Sequence, residues 1–204
     1  MPDSAAPGDV PLSLRAEQVA QTRAALIGAA RRLFGADGFA AASVEDVARE
    51  ARVTTGALYH HFPTKTALFE AVFESIHAEL MAASIRAADG AIDEVDLLAR
   101  GFEAFLDAVL EPEVQRIIVI DAPAVLGLAR FTELDERYAF AAITAALHAA
   151  VQNGKLRVDD PETLARLLLG ALTRGGMLIA NSAHPAKTRD AVATSIRDLL
   201  GGLA

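Results

Sequence analysis

Residues 54–65 read Thr54-Thr55-Gly56-Ala57-Leu58-Tyr59-His60-His61-Phe62-Pro63-Thr64-Lys65. Thr54 can cap a helix that Pro63 ends: a threonine oxygen accepts from a free first-turn N–H, and proline cannot continue the hydrogen-bond ladder. At about 100° per residue, Leu58 and Phe62 share one face of this helix, and Thr55, Gly56, Tyr59 and His60 share another. The first face suits packing and the second is free to meet a partner. His61 falls between them.

The segment just upstream supplies the context. Ser43, with Asp46 three residues on, starts another short helix, whose core face is Val44, Val47, Ala48 and Ala51. Ala51-Arg52-Val53-Thr54 joins the two. This length and spacing fit a helix-turn-helix, whose second helix enters the DNA major groove. The residue types then make chemical sense. Threonine hydroxyls, a phenol and imidazoles bond phosphates or base edges, and a ring or methyl touches a thymine methyl. Gly56 removes bulk where a phosphate backbone comes close. Lys65 sits in the first turn of the next helix, where a cation opposes the helix dipole unless a phosphate is bound there. A metal site at the adjacent histidines is disfavoured, because neighbouring helix positions do not converge and no third ligand is near. No cofactor is expected.

Outward from this unit the pattern stays helical. Leu26, Ala29, Ala30, Leu33 and Phe34 follow helical spacing ahead of Gly35 and Gly38. Thr64 can cap a long helix with Leu68, Phe69, Val72, Phe73 and Ile76 inside. After Asp89-Gly90 comes an amphipathic helix carrying Leu97, Leu98, Phe102, Phe105, Leu106 and Val109, and Pro112 can open another. Ile117-Ile118-Val119-Ile120 has strand propensity, but no second strand-like run exists to pair with it, so helix is expected. A helix over about 127–152 closed by Gly154, one opened by Asp159 or Asp160 before Pro161, and one over about 187–200 complete an all-α chain of about nine helices. The expected division is a leader over 1–14, a three-helix DNA-binding domain over 15–65 and a helical ligand-binding and dimerisation domain over 66–204.

Composition sets bounds on this reading. The net charge of −8 is unusual for a nucleic-acid binder, but it is unevenly spread. Residues 15–65 hold seven Lys/Arg against five Asp/Glu, whereas 66–204 hold twelve against twenty. A slightly basic head on an acidic body suits DNA binding. Cysteine is absent, which excludes disulfides and thiolate metal sites and fits a cytoplasmic protein. The first residues, with three prolines and no apolar run, read as a disordered leader and not as a signal peptide. The longest uncharged run, Tyr138 to Gly154, is shorter than a bilayer span needs, so no membrane partner is expected.

Residues 22–73 resemble the N-terminal domain of the tetracycline-repressor (TetR) family. The compound motif is an A-x-x-L-F helix, a G-F turn, a V-x-D-V-A helix and T-x-G-x-L-Y-x-H-F followed by a lysine, all in order. Ile120 to Gly127, IDAPAVLG, is similar to a C-terminal stretch of one subgroup. The resemblance implies a homodimeric transcriptional regulator, usually a repressor, that reads a palindromic operator. A small-molecule effector in the C-terminal domain would shift the fourth helix and release DNA. By position it implies groove contacts from Thr55, Gly56, Tyr59 and His60 and phosphate contacts from Ser43, His61 and Lys65, with Thr54 in the same DNA-binding set. Arg52 departs from the family, which commonly has glycine there. A left-handed residue other than glycine costs roughly 1 kcal/mol, which a phosphate contact by Arg52 would offset. Glu45 cannot favour phosphate and is excluded.

An effector pocket should be apolar with a few placed polar groups. Its expected wall is Phe102, Phe105, Leu106, Val109, Ile117, Leu126, Phe131, Tyr138 and Met177, with Asp121 and Arg174 as candidate polar members. These two could instead pair with each other or lie at a dimer rim, since ions in apolar runs need partners or water. Leu164, Leu167, Leu168, Ala171, Gly175 and Leu178, with Val192, Ile196, Leu199 and Leu203, form two amphipathic faces that suit packing across a two-fold axis. One short recognition helix reads only a few base pairs, so dimerisation is also needed for specificity. An enzyme is not expected: no phosphate loop, zinc-protease motif or cysteine nucleophile is present. The alternative is a helical ligand-binding or interaction protein without operator-specific DNA binding.

Overall fold

The structure, a computed structural model, describes residues 14–203. Its elements are α1 (Leu14–Asp37), α2 (Val44–Glu50), α3 (Thr55–His61), α4 (Lys65–Ala87), α5 (Glu94–Ala108), α6 (Pro112–Val114), a π-helical segment (Gln115–Asp121), α7 (Ala122–Leu126), α8 (Leu128–Gln152), α9 (Pro161–Ala180) and α10 (Pro185–Gly201). Residues 112–126 run without a break, so there are nine continuous helical runs and no strands among the described residues. The expected leader lies outside the described residues, except that Leu14 begins α1.

Side-chain caps set the helix starts. Ser43, Thr54, Thr64, Asp93 and Asp160 each accept from a first-turn N–H, removing one of the four unpaired donors a helix start carries. Asp160, not Asp159, is the cap before Pro161. The last helix begins earlier than about 187 because Pro185 supplies a preset φ in its first turn. The aliphatic run 117–120 is helical, with Ile117, Ile118 and Val119 buried. Here burial of a continuous apolar run overrides strand propensity.

The head is built from α1, α2, α3 and the start of α4. Phe34, Phe39 and Phe69 form a cluster with ring centroids 5.2–5.7 Å apart, tying the end of α1 to α4. In the body, α5 packs on α4, α8 and α10, and α9 packs on α8, α10 and the π-helical segment. A Cβ on Gly175 would lie 2.7 Å from Val192 Cγ1, so this glycine is what lets α10 lie close on α9. By length and composition α9 is apolar enough to cross a membrane, but it is a packed helix of this bundle.

A polar joint connects head and body. Asp121, at the end of the π-helical segment, accepts from the Phe39 backbone N–H at 2.8 Å and from Arg116 Nε at 3.2 Å. Gly38 has φ 82°, and a Cβ there would overlap the Arg116 guanidinium. Nearby, Arg31 of α1 donates to Glu113 and to Glu79, each at 2.6 Å. This corrects the expectation for Asp121 and Arg174. They do not pair; Asp121 instead satisfies a backbone donor in the turn between α1 and α2.

Candidate nucleic-acid interface and effector cavity

The turn between α2 and α3 explains how the outer face of α3 is aimed. Ala51 ends α2, Arg52 has φ 58°, and the N–H groups of Arg52 and Val53 return to the carbonyls of Arg49 and Ala48 at 3.1 and 2.9 Å. This is a Schellman closure with arginine where glycine is favoured, so the left-handed strain foreseen for Arg52 is present. Its side chain is exposed. Ser43 Oγ accepts from the Asp46 N–H at 3.0 Å and donates to Asp46 Oδ2 at 2.6 Å, which fixes the start of α2. Thr54 Oγ1 accepts from the Ala57 N–H at 3.1 Å and fixes the start of α3.

Leu58 is fully buried and Phe62 is nearly so, with the Arg23 guanidinium 4.8 Å from the Phe62 ring centre. Phe62 is extended, as a residue before proline must be, and α3 stops at His61. On the other face Gly56, Tyr59 and His60 are exposed, Tyr59 by 47%, and Thr55 is half-buried. His61 is half-buried, in keeping with its position between the faces. A Cβ on Gly56 would meet only Thr54 Oγ1, at 4.0 Å, so nothing within the chain requires glycine there. Gly56 is the second residue of α3, and glycine at a helical position is less favourable than alanine by up to about 1 kcal/mol.

Lys65 departs from a simple outward reach. Its ammonium lies 4.4 Å from the Phe39 ring centre and 3.5 Å from the Ala40 carbonyl oxygen, and partial burial lowers its pKa. A cation–π seat of this kind holds the charge beside the α4 N-terminus with donors to spare.

In the body a cavity of about 510 Å3 opens between α4, α5, α8 and α9. Of the residues expected at the wall, Phe102, Phe105 and Tyr138 line it. Leu106, Val109, Ile117 and Phe131 are buried core instead, and Leu126, Met177, Asp121 and Arg174 lie elsewhere. The heptad-like apolar pattern marks the inner side of each helix without showing which layer borders a void. The pattern also gave no sign of the polar wall, His77 on α4 and Asp135 on α8. His77 lies between the Phe73 and Tyr138 rings, with centroids 4.3 and 5.6 Å away, and its Nε2 is 4.0 Å from Asp135 Oδ1. Burial pushes the His77 imidazole down to about 4 and the Asp135 carboxyl up to about 6.

The expected dimer set divides in two. Leu168, Gly175 and Ile196 are buried within the protomer, Leu164, Ala171, Val192 and Leu203 are half-buried, and Leu167, Leu178 and Leu199 stand exposed by 66%, 46% and 59%. Arg174 is exposed on the same stripe of α9 as Leu167, Ala171 and Leu178, since positions 4, 7 and 11 residues apart return to one helix face.

Comparison with known proteins agrees with this architecture. Residues 26–72 match the profile described as bacterial regulatory proteins, tetR family, and residues 95–203 match the tetracyclin repressor-like C-terminal domain. A TetR-family regulator from Pectobacterium atrosepticum superposes with a TM-score of 0.81 at 33% identity, covering 92% of this chain and 96% of that one. The transposon Tn10 TetC protein of Escherichia coli is 26% identical over 154 residues, 76% of this chain and 78% of its own. The transcriptional regulator UidR of Escherichia coli is 25% identical over 194 residues, 89% of this chain and 92% of its own. These relatives are transcriptional regulators, not enzymes. With a helix-turn-helix head and a helical body matched along nearly its whole length, the chain belongs to the TetR family of ligand-responsive, DNA-binding transcriptional repressors.

Proposed function

We propose that a homodimer of this chain reads a palindromic operator through α3 of each copy and is released by a small molecule held between α4, α5, α8 and α9. The observation that carries the reading is the outer face of α3. Thr55, Gly56, Tyr59 and His60 form a polar surface with an unforced glycine, anchored from behind by Leu58 and Phe62. Thr55, Tyr59 and His60 meet base edges, and Gly56 admits the DNA backbone. Ser43, Arg52, Thr54, His61 and Lys65 ring this face and meet phosphates. Such contacts make binding fall steeply with salt. Regulators of this family function as dimers. The exposed Leu167 and Leu178 of α9 and Leu199 of α10 are the surface that a second copy would cover, with Ala171 permitting close approach and Arg174 at its rim. The working compartment is the cytoplasm, where the operator lies. Selection of bound fragments from the source genome tests the reading: enrichment of fragments carrying two inverted half-sites is expected, and recovery no better than random DNA at moderate salt would refute it.

A further inference from the structure

The polar wall of the cavity has an unmet demand. His77 is 6% exposed and its Nε2 has no hydrogen-bond partner. Asp135 Oδ1 lies 4.0 Å from it, beyond hydrogen-bond length. Among the described residues Asp135 has no other ion-pair or hydrogen-bond partner. Of the three hydroxyl side chains at the wall, Ser84 and Thr173 already donate to the Gly101 and Leu169 carbonyls, and Tyr138 sets its ring against His77. The exposed Arg86 and Asp89 also border the cavity, and most of the remaining wall is apolar, including Leu80, Leu98, Phe102, Phe105 and Ile143. A buried nitrogen and a half-buried carboxylate thus face each other across a gap in a largely apolar cavity, and the unpartnered nitrogen costs free energy until something bridges to it.

From this gap we infer that the cavity takes an apolar molecule carrying a hydroxyl group, an alcohol or phenol, whose single oxygen sits between His77 Nε2 and Asp135 Oδ1. An oxygen about 2.8 Å from each atom spans their separation at close to a right angle. It accepts from the imidazole N–H and donates its own proton to the carboxylate, so both groups are met by one functional group. An ether or ketone can only accept, leaving the carboxylate unpaired. A carboxylate ligand would face Asp135 as a like charge. At neutral pH the depressed imidazole is uncharged and Asp135 is ionised, so an acceptor awaits a donor. The inference rests on the cavity being the effector site and names the chemistry that site selects.

Four probes with one biphenyl body test it on the full chain: 4-phenylphenol, its methyl ether, protonated 4-phenylbenzylamine and 4-phenylbenzoate, each titrated by calorimetry. The phenol is expected to bind about tenfold tighter than the ether, the size of one buried hydrogen bond to a charged group, and tighter than the other two. In Asp135→Leu the preference for phenol over ether should shrink below about twofold, while the ether itself still binds. Binding of the ether together with a native circular dichroism spectrum shows that the variant folds. His77→Phe should reduce the same preference and serves if Asp135→Leu does not fold. Equal binding of phenol and ether, tighter binding of the amine, or a preference that survives both substitutions would overturn the hydroxyl inference and leave the cavity as a ligand site of another chemistry. Failure of all four probes to bind would overturn the inference together with the effector reading of the cavity.

Discussion

The two surfaces proposed to meet partners are built on opposite principles. The outer face of α3 is convex and polar, and its groups are fixed by bonds only a few residues away, such as the Thr54 cap and the return of Val53 N–H to the Ala48 carbonyl. The cavity is concave and apolar, and its polar pair comes from two helices far apart in the chain. A face set by local bonds is presented the same way whatever the body does. A wall shared by α4 and α8 changes whenever those helices shift, and α4 begins at Lys65, directly after the reading helix. One surface is therefore suited to recognition and the other to response, and the Asp121–Phe39 joint lies between them.

The largest effect is expected where the reading face is cut back. Tyr59→Ala should lower operator affinity by about 10–100-fold, the range for losing a groove contact, with little change in melting temperature because the ring is 47% exposed. Matching losses of binding and stability would make Tyr59 a packing residue and dissolve the contrast between the faces of α3.

The cavity pair predicts a specific pH response. Between about pH 4 and 6.5 the unfolded chain binds more protons at His77 than the native chain, so acid erodes stability there. Between about pH 3.8 and 6 the native chain holds more protons at Asp135, so acid favours folding. The two contributions oppose each other over most of this range. Relative to wild type, His77→Gln should shift the urea midpoint upward as pH falls through this window, and Asp135→Asn should shift it downward. Parallel profiles for all three proteins would show that the pair is not buried as described.

At the joint, Asp121→Ala leaves the Phe39 N–H without its acceptor and should cost about 1–3 kcal/mol. The check is urea unfolding, with hydrogen exchange at the Gly38–Phe39 turn as the local readout. A smaller gain is expected from Arg52→Gly, up to about 1 kcal/mol from relieved left-handed strain, with weaker DNA binding at low salt if the guanidinium meets a phosphate.

The head was legible in the sequence because its determinants are local. Ser43, Thr54 and Thr64 announce helix starts within three residues of the donors they accept from, and Pro63 announces an end. The body was legible only as helices. Nothing within reach of His77 in the sequence signals Asp135, and the partner of Asp121 in the head is a backbone amide, which has no side-chain signature at all. Helix phase did not separate inside from outside on α10, where Ile196 is buried and Leu199 exposed, or on α9, where Leu167 and Leu178 face out while Leu168 and Ile179 face in. A helix apolar on nearly every side does not reveal which stripe the protomer itself covers.

Gly56 offers the most direct measurement. A methyl group there meets no atom closer than Thr54 Oγ1 at 4.0 Å, and alanine favours a helix over glycine by up to about 1 kcal/mol. Gly56→Ala is therefore expected to raise stability to urea while lowering operator affinity about tenfold, because the added methyl intrudes on the DNA backbone. A variant that folds better and binds worse cannot owe its defect to misfolding. Unchanged or tighter operator binding by the stabilised variant would contradict the assignment of this face to DNA.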